Sequence, residues 1–183
     1  MLYARSRQVP VAFAALVLGA AGIWLLAREW WSVLFVALTL TVGVSVGAIG
    51  WSGQDPDLDR TAAIRWPVRR FGHIVLVGLL AGAAVLVVQA LGVRDVDIST
   101  LMRDGAGLLG LAGIAATFAG GRFGWTLPFV WFVVGVFAPG GDDLKTQILR
   151  WMFEPPDTAA ATWTAVVLGV AGIGAYAGWG GRR

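Results

Sequence analysis

Six apolar stretches, each almost free of charge, leave this chain few ways to fold. They run from about Val9 to Ala27, Ser32 to Trp51, His73 to Val93, Gly105 to Gly121, Phe123 to Ala138 and Thr162 to Trp179. About 20 mostly apolar residues in a helix cross the hydrocarbon core of a bilayer. None of the six stretches carries an acidic or basic residue near its middle. The composition agrees, with 57% of the residues hydrophobic and 14% charged, against roughly 45–50% and about 25% in soluble domains. The expected fold class is therefore all-α: a polytopic membrane protein of about six transmembrane helices, with residues 1–183 forming a single transmembrane domain.

The same composition removes several function classes. The chain has no Cys, which excludes disulfides, thiolate metal sites and cysteine nucleophiles. A single histidine, His73, excludes a His-rich metal site. No phosphate-binding loop, nucleophile elbow, zinc-protease motif or dinucleotide fingerprint is present, so neither an enzyme nor a cofactor bound by this chain is expected. The pI near 10.2 does not imply nucleic acid, because the basic residues are scattered over short loops and both termini. That distribution fits a membrane surface.

The loops also set an orientation. Arg5, Arg7, Arg60, Arg65, Arg69, Arg70, Arg122, Arg182 and Arg183 fall on the side of the N-terminus, and Arg28, Arg94, Arg103, Lys145 and Arg150 on the other. The positive-inside rule then places both termini in the cytoplasm. The N-terminal stretch is longer than a secretory signal core and leads into Arg28-Glu29-Trp30-Trp31, so it reads as a retained helix. Trp30, Trp31, Trp51, Trp125, Trp151, Trp163 and Trp179 lie near predicted helix ends, as interfacial aromatic belts require. Arginine in place of all but one lysine, with abundant Ala, Gly and Val, suggests a bacterial cell membrane.

Two loops are long enough to hold structure. In the cytoplasmic one, Asp55 is suited to an N-cap and Pro56 to the first helical position. Asp57 and Asp59 fall in the first turn and Arg65 in the last, as the helix dipole favours, and Pro67 is expected to end the helix. Leu58, Ala62 and Trp66 share one face. The alternating aspartates resemble the start of a calcium loop, but Arg60 stands where the invariant glycine belongs. This helix either connects two spans or docks a cytoplasmic partner. In the extracytoplasmic loop, Leu144, Ile148, Trp151 and Met152 recur at helical spacing from Asp142 or Asp143 up to Pro155-Pro156. That is an amphipathic helix too short to span, lying in the interface or dipping inward as a gate.

Within the spans, polar chemistry is sparse. A charge at the bilayer centre costs at least about 2.5–3.5 kcal/mol on insertion scales, and its absence argues against proton-coupled or charged-filter transport. Thr39, Thr41, Ser45, Thr117 and Thr126 are expected to bond the preceding turn of their own helices, and Gln89 to bond between helices. Gly43 and Gly47, Gly78 and Gly82, and Gly174 and Gly178 form three GxxxG pairs, which imply close helix packing or dimerisation. The string Leu-Gly-x-Ala-Gly-Ile occurs at 18–23, 109–114 and 168–173. It hints at two three-helix halves of opposite orientation.

This arrangement resembles the membrane subunit of a six-helix ATP-binding-cassette exporter. In that family the loop between the second and third helices carries a coupling helix, and the loop before the last helix folds as an outer gate. The resemblance implies that Asp57, Asp59, Arg60 and Arg65 make polar contacts to a separate cytoplasmic ATPase, with Leu58 and Trp66 as apolar anchors. It implies that Leu144, Ile148, Trp151 and Met152 belong to the gate. ATP would bind the partner subunit, two membrane subunits would pair as a homo- or hetero-oligomer, and the substrate would be hydrophobic or amphipathic. The alternatives are a non-transporting scaffold subunit of a larger membrane complex and a small inverted-repeat transporter.

Overall fold

A computed structural model describes residues 9–27, 32–51, 66–91 and 97–181. Among the described residues the chain is all-helical, with no strand. Helix α1 spans Val9–Ala27, α2 Val33–Ile49, α3 Trp66–Ala90 and α4 Ile98–Ala119. A 3-10 turn at Gly121–Phe123 leads to α5, Thr126–Phe137. The short α6, Leu144–Leu149, and a second 3-10 turn, Trp151–Phe153, precede α7, Ala159–Trp179.

Two boundaries differ from the sequence reading. The fourth helix begins at Ile98, well before Gly105, because the Asp97 carboxylate accepts a 2.8 Å hydrogen bond from the Ser99 N–H and caps it. Arg103, assigned above to a loop, and its neighbour Asp104 therefore lie in its second turn. The third helix begins at Trp66, with Pro67 in its first turn. A first-turn proline loses no helical hydrogen bond. Asp57, Leu58, Asp59, Arg60 and Arg65 lie outside the described residues, as does the helix expected to contain them.

The tightest contact joins α4 to α7. A Cβ on Gly110 would collide with the Leu168 backbone, one on Gly113 with the Gly172 carbonyl, and one on Gly172 with Gly110. Gly169 lies against Ala106 in the same seam. Contacting residue numbers rise together along both helices, so α4 and α7 run parallel, backbone against backbone. The repeated string at 109–114 and 168–173 supplies these four glycines. The copy in α1 does less: Gly19 faces Val42 of α2, and Gly22 has nothing nearby.

The GxxxG glycines divide. Gly43 receives Ala81, with the added Cβ at 2.8 Å; Gly47 receives Val77, and Gly78 receives Leu109 at 2.7 Å. Gly82, Gly174 and Gly178 have nothing within 4 Å of a built Cβ among the described residues.

Leu40, Val44, Val85, Leu108 and Leu111 fill the bundle centre. The outward faces are equally apolar: Leu18, Leu26, Leu79, Val87, Val167 and Val170 are all at least 60% exposed. Two helices, Pro67–Ala90 and Ala159–Trp179, are long and apolar enough to cross a membrane. The segments Ala14–Leu26, Val33–Ile49 and Gly121–Phe137 are apolar but shorter. Trp51 and Trp151, expected in aromatic belts, are instead buried, and Trp51 stacks on Tyr176 at 4.5 Å.

The two ends of the bundle differ in charge. Trp51, the start of α3, the Gly121–Phe123 turn and the end of α7 meet at one end, where Arg70 lies against Gly180 and Gly181 against Gly121. Its described charges are Arg69, Arg70 and Arg122, with no carboxylate among the described residues. The other end carries Asp97, Asp142, Asp143, Glu154 and Asp157 beside Lys145 and Arg150.

Candidate functional site

Residues 138–158 form a cap over the acidic end, and the side chains that fix it come from α4 and α5. Asp143 starts α6. Its carboxylate accepts from the Thr146 hydroxyl at 2.7 Å and the Thr146 N–H at 3.1 Å. These two hydrogen bonds, side chain first, hold the Asp143 carboxyl below the usual carboxylate range. The helix lasts only six residues. Arg150 leaves the helical conformation and donates to the Ala138 carbonyl at 3.0 Å, and the following 3-10 turn redirects the chain inward. Glu154 is extended, the conformation that a following proline favours.

The break changes which residues face the bundle. A continuous helix would place Leu144, Ile148, Trp151 and Met152 on one stripe. In the structure Trp151 and Met152 are fully buried, whereas Leu144 is 65% and Ile148 36% exposed. Trp151 lies over Gly107 of α4, where any Cβ would strike its ring. Phe153 lies over Gly135 of α5 in the same way, at 2.7 Å, and its ring is 5.9 Å from that of Phe132. The Trp131 indole donates to the Leu149 carbonyl at 3.2 Å. The cap is thus a plug with two aromatic residues set into glycine notches.

Arg103 closes the other flank. Its Nη1 donates to the Pro155 carbonyl at 2.8 Å, its Nη2 to the Glu154 carbonyl at 2.9 Å, and its Nε to Asp104 Oδ1 at 2.8 Å. Both side chains are buried, 5% and 0% exposed. This is the one ion pair among the described residues; it lies within α4, and the same arginine reaches carbonyls about 50 positions away. Guanidinium geometry allows it, since its N–H groups form a rigid fork that can serve three acceptors at once. Asp104 Oδ2 and Trp151 Nε1 are buried without a hydrogen-bond partner, a costly arrangement in an apolar surrounding.

Comparison with protein-family models, curated proteins and solved structures gives no match. The chemistry of the site therefore rests on its own geometry.

That geometry holds the cap in place. Thr39, Thr117 and Thr126 bond back to their own segments at 2.7–2.8 Å, while the Thr41 and Ser45 hydroxyls are buried without partners on α2. The sequence reading overlooked Arg103 and Asp104. The signal was present: Asp97 followed by Ser99 and Thr100 is a helix start, and the period from it carries Leu101, Leu108 and Ala112 onto the buried side together with the ion pair.

Proposed function

We propose that this chain is a multi-pass protein of a bacterial cell membrane with both termini in the cytoplasm. We further propose that it serves as the membrane-spanning subunit of an ATP-binding-cassette-type exporter. The observation that carries the proposal is the plug: a short segment before the last helix, inserted into the acidic end of a bundle whose outward faces are apolar. Exposed apolar faces on helix after helix suit lipid and not water. Trp163 and Trp179 are both exposed and stand about 24 Å apart along α7, the spacing of two interfacial belts. Arg69, Arg70 and Arg122 without a carboxylate among the described residues fit a cytoplasmic end. The plug is then extracytoplasmic, where an exporter needs a closure.

A path for substrate does not run through the middle of this chain, which Leu40, Val44, Leu108 and Leu111 fill. Substrate moves along an interface with another subunit, and its apolar walls suit a hydrophobic or amphipathic molecule. The energy source is a separate cytoplasmic ATPase gripping the 55–66 segment.

The test is purification in mild detergent, followed by ATPase assay of the complex. A nucleotide-hydrolysing subunit at fixed stoichiometry is expected, and replacing Asp59 and Arg60 by Ala should separate ATP turnover from export. Export that proceeds unchanged in Asp59→Ala/Arg60→Ala would remove the coupling assignment. A stable complex without any ATPase would favour the scaffold reading.

A further inference from the structure

The described surface holds a second feature that the plug does not use. A groove of about 400 Å³ runs along α7, lined by Ala165, Gly169, Val170, Gly174 and Ala177, with Phe71 of α3 and Ala106 of α4 as flanks. From Ala165 to Ala177 it extends about 18 Å, a large part of the hydrocarbon thickness. Its walls are apolar throughout. The seam that brings α4 against α7 leaves it no competing side chain, because Gly174 has nothing within 4 Å of where its Cβ would stand.

One end of the groove meets a cation. Phe71 directly follows Arg70, whose guanidinium lies beside Gly180, three residues beyond Ala177, whereas Arg69 falls about 200° around α3 from Phe71. Neither arginine pairs with a carboxylate among the described residues. An apolar channel ending at an arginine with no carboxylate partner among the described residues matches a molecule with an acyl chain and an anionic head. Basic pockets between helices on the cytoplasmic side bind anionic lipid headgroups in this way. A neutral lipid would fill the groove but leave Arg70 unused.

We infer that the α3–α7 groove is a binding site for an anionic phospholipid of the inner leaflet, with its acyl chain along Gly169–Ala177 and its phosphate on Arg70. This inference rests on the membrane reading above, but not on transport.

The test uses the full-length protein in mild detergent, exposed to equal amounts of phosphatidylglycerol and phosphatidylcholine with the same acyl chains. Retained lipid is counted by native mass spectrometry. The wild type should retain phosphatidylglycerol preferentially. Arg70→Gln should reduce that preference about five-fold. Arg122→Gln, at the same end but away from the groove, should not. Gly174→Leu, whose Cβ would stand in open space among the described residues, extends into the groove and should lower retention of both lipids; Val170→Trp on the groove lip checks the same loss independently. Equal retention of the two lipids by the wild type, or undiminished retention in both groove variants, overturns the site. Extraction of the protein from membranes by alkaline carbonate would instead overturn the membrane reading. A protein that resists extraction yet shows no lipid preference defeats the groove alone.

Discussion

Replacing Arg103 by Leu should release the cap. Two of the arginine's three hydrogen bonds reach across to the Glu154 and Pro155 carbonyls, and bonds from a charged donor contribute about 1.5–3 kcal/mol each. The third neutralises Asp104, which would otherwise remain buried alone; removing one member of a buried pair costs about 3–5 kcal/mol. These figures overlap, so about 3–5 kcal/mol is the working range, or roughly two to three and a half orders of magnitude in an opening equilibrium. The chain has no cysteine, so Met152→Cys provides a unique thiol at a fully buried position. Its alkylation rate reports cap opening when reclosing is fast. Arg103→Leu should accelerate labelling by hundreds- to thousands-fold. Global damage is separated by Arg103→Leu/Asp104→Leu, which leaves no orphan charge. It should regain thermal stability yet keep the fast labelling, because the bonds to 154 and 155 are still missing. Labelling as slow as in the parent in both variants, with helicity intact, would refute the latch.

Other consequences can be checked more briefly. Gly172→Leu would drive a side chain into the Gly110 backbone and should abolish folded material on size exclusion, whereas Gly174→Leu should run as the parent does. Gly107→Leu should expel Trp151 from its notch, seen as a red shift in the emission of a variant retaining only that buried tryptophan. Asp143 has its folded-state pKa depressed by Thr146, so its capping contribution is full above the unfolded value near 4 and is lost as pH falls through the lower folded value. Hydrogen exchange in Leu144–Leu149, normalised to intrinsic rates, should therefore quicken on acidification below about pH 4. Asp143→Asn should flatten that dependence, and an unchanged profile would remove the cap assignment.

Helix positions were legible because apolar runs of helical length leave the backbone no other way to satisfy its hydrogen bonds. Asp143 was readable as a helix start for a similarly local reason, since a capping side chain acts within three residues. What escaped was non-local. Trp151 and Met152 are adjacent in sequence, and only a break at Arg150 lets both point inward, which a stripe drawn on an ideal helix cannot show. Arg103 and Asp104 looked like loop residues because each alone is unwelcome among apolar neighbours. Their compatibility depends on carbonyls some 50 positions away. The glycines show the same limit: spacing marked Gly174 and Gly178 as strongly as Gly43 and Gly47, yet only the latter two meet another helix.

The glycine seam between α4 and α7 constrains how such a molecule can move. With carbonyls lodged where side chains would ordinarily stand, neither helix can rotate or slide without lifting off the other, so the two behave as a single mast. Arg103 roots one flank of the plug in that mast. Displacing the plug therefore means breaking the Arg103 bonds to the Glu154 and Pro155 carbonyls, because the mast cannot follow it.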